Sequence, residues 1–129
     1  MKWSKAFLLT GFASSMLVLA FLMFRPVPIP STKDQLHFVE GTLVKIDSAT
    51  TADLIIALQE HPQQFYINRG MELTSGKWIF HHRKELIREK VLIGFPNYWT
   101  PLNPNNSVRH LSYVQWGDSV LFSEIQEGR

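Results

Sequence analysis

Two adjacent histidines are the residues whose types most directly suggest chemistry. His81 and His82 are followed by Glu85, and imidazole nitrogens with a carboxylate oxygen are ligands that zinc uses in proteins. On a helix, His81 and Glu85 would share one face because they are four residues apart. On a strand, His81 and His82 would point to opposite faces and could not both reach one ion. Because residues 78–80, Trp-Ile-Phe, favour a strand, we predict that the pair does not bind a metal.

The residue types of other active sites are present without the spacing that those sites require. Ser75 and Ser112 lack the G-x-S-x-G setting of a nucleophile elbow, and the seven glycines are too dispersed to form a phosphate-binding loop. The chain has no cysteine, which excludes thiolate metal sites, disulfides and a cysteine nucleophile. We therefore assign no catalytic, cofactor-binding or metal-binding residue and predict that the protein is not an enzyme. The alternative is a small metal-binding protein or metal-dependent hydrolase that uses His81 and His82.

Aromatic and amide side chains in and after the loop at residues 96–107 are candidates for binding a partner. These candidates are Tyr98, Trp99, Asn103, Asn105 and Trp116. Rigid rings beside amide groups are typical of surfaces that bind a peptide, a sugar or another protein. The structural alternative is that the same rings, together with Phe95, close one end of the folded domain.

Net charge limits the kind of partner. The chain carries 13 Lys and Arg residues against 11 Asp and Glu, and two of the cations, Lys2 and Lys5, precede the apolar segment. The remainder is therefore formally neutral. A protein that binds nucleic acid needs a basic surface to neutralise phosphates. The composition thus predicts no nucleic-acid partner.

The N-terminal part of the chain contains a long apolar segment. Residues 6–24 are 19 consecutive positions without a charge, and as a helix they would be about 28 Å long, close to the hydrocarbon thickness of a bilayer. We predict an uncleaved single-pass anchor preceded by a cytoplasmic segment, residues 1–5. The alternative is a signal peptide cut after Ala20, but the apolar run continues to Phe24.

The flanking charges orient this predicted anchor. Lys2 and Lys5 precede it and Arg25 follows it closely, so the positive-inside rule favours a cytoplasmic N-terminus. The C-terminal domain would then lie on the outer side of the cytoplasmic (inner) membrane. Prolines at alternate positions in residues 25–35 predict an extended stalk between the anchor and a single domain at residues 36–127.

Within that domain, β-forming residues predict most of the elements. Strands are expected at residues 38–46, 65–68, 78–80 and 91–95 and in the C-terminal region, with 91–95 as the core strand. Thr50 and Asp53 fit a capping box that would open a helix carrying Leu54, Ile55 and Leu58. The charged run at residues 83–90 predicts a brief helix or turn.

The C-terminal region gives the strongest local signal. Residues 108–115 and 119–125 flank Gly117-Asp118, which suits a two-residue type II′ hairpin turn. That turn would pair Tyr113 with Phe122 and Val114 with Leu121. The order of elements predicts a mainly β (α+β) fold, in which the transmembrane helix precedes a small OB- or SH3-like barrel with one or two short helices.

One segment also supports a resemblance. Residues 98–104, Tyr-Trp-Thr-Pro-Leu-Asn-Pro, are similar to an aromatic–x–Pro–x–Asn–Pro segment that precedes the last strands in small uncharacterised bacterial proteins. Those proteins join one N-terminal span to a compact β-barrel, and the chain resembles them in this order of parts. It departs from them in an extra tryptophan and in the helix predicted at residues 50–60. The resemblance implies an architecture and no assigned activity.

Together these features predict a membrane-anchored, non-catalytic binding or assembly module. Its expected partners are the membrane, through residues 6–24, and another envelope or membrane protein. Gly11, Ser14 and Ser15 would supply a small-residue face for packing against partner spans. No small-molecule cofactor is expected.

Overall fold

The chain begins with a long apolar helix, α1 (Lys2–Phe24). The computed structural model describes residues 2–24, 30, 32–97 and 104–125. The segment Ser4–Phe24 is long and apolar enough to cross a membrane, and its most apolar stretch is not buried against the rest of the protein; a signal sequence near the N-terminus meets the same criteria. The hydroxyls of Thr10 and Ser15 donate to carbonyls one turn earlier, at 2.8 and 2.9 Å. These polar groups are therefore satisfied inside the helix, as an apolar environment requires.

Seven described strands form one mixed sheet after this helix. They are β1 (Leu36–Ser48), β2 (Leu54–Leu58), β3 (Gln64–Ile67), β4 (Lys90–Pro96), β5 (Val108–His110), β6 (Tyr113–Trp116) and β7 (Ser119–Ser123). Two short helices, α2 (Thr74–His81) and α3 (Arg83–Leu86), connect β3 to β4. The strand order is β5-β3-β2-β1-β4-β6-β7. Strands β3 and β5 are parallel, and the other described neighbours are antiparallel.

The sheet is strongly curled because two distant strands in its order are joined by a very short link. Five strand spacings separate β5 from β6 in the order, which would be roughly 24 Å in a flat sheet. The link through Leu111 and Ser112 spans only three Cα steps, or at most about 11 Å. Its backbone N–H groups donate to Tyr66 O of β3 at 2.8 Å and to Gly94 O of β4 at 2.9 Å. The sheet must therefore fold back on itself.

The predicted OB- or SH3-like barrel is nevertheless wrong as a closed structure. Among the described strands, β5 and β7 remain the two edges of the sheet. The segment predicted as one strand at residues 108–115 bends at Leu111-Ser112, so its first part pairs with β3 and its second with β4. The coarser expectation of an N-terminal apolar helix followed by an α+β domain is confirmed.

The core lies inside the curl and under α2. Alternate residues of β2 are buried, and α2 and α3 contribute Ile79 and Leu86. The largest fully buried apolar side chains are Phe65, Leu43, Leu54, Ile56, Ile67, Ile79, Leu86, Ile93, Leu111, Val91 and Val114. The strand predicted at 91–95 is confirmed within β4, where Val91, Ile93 and Phe95 are buried.

The helix predicted from the capping-box pattern is wrong. Residues 54–58 form β2, in which burial alternates with the period of two that a strand gives. The carboxylate of Asp53 does not cap a helix but accepts from the backbone N–H of Arg69 at 2.8 Å and from the Thr51 hydroxyl at 3.1 Å. These bonds fix Asp53 between the start of β2 and the turn after β3, where β2 can pair with β1 and β3.

The strand predicted at residues 78–80 is also wrong, because these residues belong to α2. A Cβ at Gly76 would overlap the carbonyl oxygen of Gly70, so glycine allows the first turn of α2 to pack closely on the preceding turn. Ile79 then enters the core. This tertiary packing outweighs the β-propensity of Trp78 and Ile79. The short helix predicted after them is confirmed as α3.

The C-terminal hairpin is confirmed, but its predicted register is wrong. Gly117 has φ +59° and Asp118 does not have a positive φ, as in a type II′ turn. Val114 lies opposite Phe122 and Gln115 opposite Val120, which leaves Leu121 without a partner in a β-bulge. The bulge displaces the pairing by one residue.

The end of the predicted stalk contacts the domain. Pro30 is buried, and a 3₁₀ turn at Lys33–Gln35 leads directly into β1. The Lys33 ammonium lies 5.2 Å from the centre of the Tyr113 ring, a cation–π contact. Pro30 and residues 32–35 therefore belong to the folded domain and do not act as a free spacer.

Candidate binding surfaces

An open apolar groove of about 570 Å³ lies between α2 and β7. Its lining residues are Leu73, Thr74, Ser75, Trp78, Val120 and Leu121. Three of them are large apolar side chains that stay exposed: Leu73 at 40%, Trp78 at 40% and Val120 at 53%. Grouped exposed apolar side chains are characteristic of interaction surfaces, whereas single ones are ordinary.

The local structure explains why these side chains converge. Thr74, Ser75 and Trp78 lie on one side of α2, since residues three and four apart on a helix are neighbours. On the facing strand, the bulge at Leu121 brings both Val120 and Leu121 to the groove.

Strand β7 is an edge strand that lacks the usual protection of charge. No described strand pairs with its outer edge, and its sequence, Ser-Val-Leu-Phe-Ser, contains no charged residue. Natural sheets commonly shield such edges with charged side chains, proline or bulges. Here the bulge is present and the charges are not, so the outer backbone groups of β7 can accept another strand.

The wall of the groove is held by a histidine. The rings of Trp78 and His82 stack with centroids 3.9 Å apart and planes inclined by 19°. The His82 Nδ1 lies 2.8 Å from the carbonyl oxygen of Trp78. The imidazole is thereby fixed by two contacts, and it fixes the indole in turn.

The same contacts bear on the metal hypothesis. His81 is the last residue of α2 and His82 follows it, so the strand geometry expected for the pair is wrong. Nδ1 of His82 is engaged with a carbonyl, and His81 is exposed. Within the described ranges, no three His, Asp or Glu side chains are grouped closely enough to hold a metal ion.

A second candidate binding surface, centred on Arg109, lies at the end of β4. The guanidinium carbon of Arg109 lies 5.1 Å from the centre of the Phe95 ring, and its Nη1 donates to Asn97 Oδ1 at 3.3 Å. The Arg109 Nε is buried and has no hydrogen-bond partner among residues 32–97 and 104–125. His37 stacks on the same Phe95 ring at 6.1 Å. This end of the sheet thus combines a cation with aromatic walls.

The predicted partner-binding residues are only partly within the described chain. Tyr98, Trp99 and Asn103 lie outside the described residues, and Asn105 is exposed. Trp116 is half-buried and packs on the core.

Trp116 is also far along the sheet from the end of β4. Tyr113 lies opposite Gly94 and Gln115 opposite Leu92. Trp116 therefore lies toward the start of β4, whereas Phe95 lies at its end. The proposed role of the five residues in partner binding stays a prediction.

A Ser, His and Glu constellation does occur, but its geometry does not support nucleophilic catalysis. The Ser112 hydroxyl donates to Glu124 Oε2 at 3.0 Å, and His110 Nε2 lies 2.9 Å from both oxygens of the same carboxylate. In a catalytic triad the serine proton faces the imidazole, whereas here both groups face the carboxylate. Ser112 is also fully buried. The three side chains instead tie the segment after β7 to β5.

The groove was not found from the sequence, although one signal pointed toward it. The uncharged edge of β7 can be read directly from residues 119–123. The wall that Trp78 forms could not be read in this way, because residues 78–80 were predicted to form a strand.

The fold and these surfaces define a small α+β domain behind an apolar helix. Comparison of the chain with protein-family models, with curated proteins and with solved structures finds no significant match. Any function must therefore be argued from the geometry above.

Proposed function

We propose that this protein is a membrane-anchored, non-catalytic binding or assembly module. In this proposal α1 crosses the cytoplasmic membrane, and the β-rich domain binds another envelope or membrane protein on the outer side. The observation that carries the proposal is the groove between α2 and β7. There an uncharged edge strand, with which no described strand pairs on its outer side, borders exposed apolar side chains.

The groove fits an extended polypeptide that adds to the sheet as another strand. Its backbone would pair with the outer edge of β7, which supplies affinity without regard to sequence. Side chains of a strand alternate in direction. Every second residue of the bound segment would therefore enter the groove against Trp78 and Leu73, so we expect an apolar residue at alternate positions.

The short connection to α1 favours a partner in the same membrane. Residues 25–35 link the helix to the domain, and the last of them already contact the domain. A short linker of this kind holds the domain near the bilayer and raises its effective concentration toward other proteins there.

The experiment compares two single changes in exposed valines. Val120→Lys places a charge on the edge of β7, within the groove, whereas Val44→Lys changes a valine of β1 with a similar exposure, 48% against 53%. Each tagged full-length protein is captured from mildly solubilised membranes after cross-linking, and circular dichroism checks that both variants are folded.

We expect a partner that the wild type and Val44→Lys retain and Val120→Lys loses. Hydrogen exchange on the complex should then show new protection of β7 amides. A partner retained equally by all three proteins, or lost equally with both variants, would contradict binding at this groove.

A further inference from the structure

Arg109 is a partly buried cation that has no carboxylate partner in the part of the chain that the structure describes. Among the described residues, the ion pairs join Arg69 to Glu72 and His110 to Glu124, and neither includes Arg109. Its guanidinium contacts the Phe95 ring and a neutral amide oxygen, and its Nε has no partner within the described ranges. Charged side chains are rarely buried unless they are paired, so this arrangement calls for an anion from elsewhere.

The neighbouring loop cannot supply that anion. Residues 96–107, which begin at the end of β4 and lead to β5, contain neither aspartate nor glutamate. Glu124 is close in sequence to the end of β7, but its carboxylate is occupied by His110 and Ser112.

The surroundings of Arg109 suit an anion that presents two oxygens, such as a carboxylate. A guanidinium presents a planar fork of N–H groups that matches the two oxygens of a carboxylate. The present acceptor, Asn97 Oδ1, is neutral and lies at the long distance of 3.3 Å. A carboxylate in its place would add charge and a second acceptor for the fork. The Phe95 ring beneath the guanidinium excludes water from one side, which strengthens the electrostatic attraction.

We propose that Arg109, with Phe95 and Asn97, forms a binding site for a carboxylate group. The carboxylate is carried by a ligand outside this chain, either an acidic side chain of a polypeptide or a small organic acid. The site shares no residue with the groove between α2 and β7, and the proposal does not rest on binding at that groove.

The experiment follows the side-chain Nε–H resonance of Arg109 by nitrogen-15 NMR. The full-length protein is reconstituted in nanodiscs and titrated, at constant ionic strength, with benzoate, with a glutamate-containing peptide or with the matched glutamine peptide. Arg83 is an internal control, because it also lies over a phenylalanine ring, Phe80, at 4.2 Å, but donates to a backbone carbonyl at 2.8 Å.

We expect a saturable shift of the Arg109 signal with benzoate or with the glutamate peptide, and none with the glutamine peptide. Tighter binding of the peptide would identify a polypeptide ligand, and tighter binding of benzoate a small acid. The change Arg109→Lys keeps the charge but removes the fork and the Nε–H signal. Binding to this variant is therefore followed through the side-chain amide signal of Asn97, and it should be at least about tenfold weaker. The Arg83 signal should not move.

Two results would overturn the proposal. One is an Arg109 signal that moves no more than that of Arg83. The other is a shift caused by Glu127→Gln alone, because a carboxylate of the chain itself would then already occupy the site.

Discussion

The indole of Trp78 stacks on the imidazole of His82, 3.9 Å away, and the same imidazole lies 2.8 Å from the Trp78 carbonyl oxygen through Nδ1. Trp78 is thus linked to His82, four residues later, through both its ring and its backbone carbonyl. The relationship gives His82 a structural task, which is to hold one wall of the groove. It leaves Nε2 as the ring nitrogen of His82 through which a metal would bind.

The two histidines should therefore differ in their effect on stability. His82→Ala removes the stacked ring and should lower the free energy of unfolding by about 0.5–1.5 kcal/mol. His81→Ala changes an exposed side chain and should stay within about 0.5 kcal/mol. Denaturant unfolding of the full-length protein in mild detergent, followed by tryptophan fluorescence, measures both.

The wild type and a variant that carries both histidine changes test the metal hypothesis. A bound metal would add its binding energy to folding stability. Because we predict that the two histidines form no metal site, zinc or copper should not raise the melting temperature of the wild type. A metal-dependent rise that disappears when both histidines are changed to alanine would restore the alternative function.

The N-terminal helix should remain attached to the mature protein. The apolar stretch extends to Phe24, beyond the small residues at which a signal peptidase would cut. We expect alkaline carbonate to leave the protein in the membrane pellet and N-terminal sequencing to begin at Met1 or Lys2. A mature chain that begins near Phe21 or Arg25 would show a cleaved signal sequence.

Gly117 should be needed for its backbone conformation alone. Its φ is +59°, and an added Cβ would meet no atom within 4 Å, so any cost comes from the backbone. Gly117→Val should destabilise the domain by about 1–3 kcal/mol. The neighbouring change Asp118→Ser should cost less than about 0.5 kcal/mol. Equal effects in denaturant unfolding would mean that the hairpin has a different turn.

Glu60 should make stability depend on pH in acid solution. Its carboxylate accepts from the backbone N–H of Thr42 at 2.7 Å and from the Thr42 hydroxyl at 2.8 Å. These bonds hold the pKa of Glu60 below its ordinary value of 4.5. A lowered pKa means that the ionised form is favoured by folding. The stabilisation is therefore complete above the unfolded-state pKa and is lost as the pH falls through the lowered value.

The measurement compares thermal unfolding of the wild type and Glu60→Gln from neutral to strongly acidic solution. The wild type should be the more stable protein at neutral pH, and the difference should shrink as the solution becomes acidic. Glu85→Gln, at an exposed position of α3, serves as the control. A difference that stays constant across the range would contradict the role assigned to Glu60.

The strands at residues 65–68 and 91–95 and the turn at Gly117-Asp118 could be predicted because their signals are local. Runs of apolar β-forming residues, and a glycine that adopts a positive φ, determine the conformation of the few residues around them. The register of the hairpin could not be predicted in the same way. The bulge at Leu121 depends on how β7 fits between β6 and α2, which residues 108–125 do not encode by themselves.

Most of the candidate site could not be predicted from the sequence. The uncharged edge strand could be recognised in residues 119–123. The opposite wall of the groove could not be predicted, because it exists only when residues 78–80 form a helix. That Arg109 has no carboxylate partner among the described residues depends on how separate segments pack around it. Both features are relationships between distant segments, and neither leaves a pattern in one stretch of residues.

The sequence by itself determined the long apolar N-terminal helix and several strands of the domain, because length, apolar character and turn residues are properties of contiguous chain. The tertiary structure decided that residues 54–58 are a strand and residues 78–80 a helix, since both outcomes depend on which neighbours bury Leu54, Ile56 and Ile79. It also decided the curl of the sheet, because a two-residue link joins strands that lie far apart in the strand order. That curl leaves β7 at an edge beside α2, and so creates the groove.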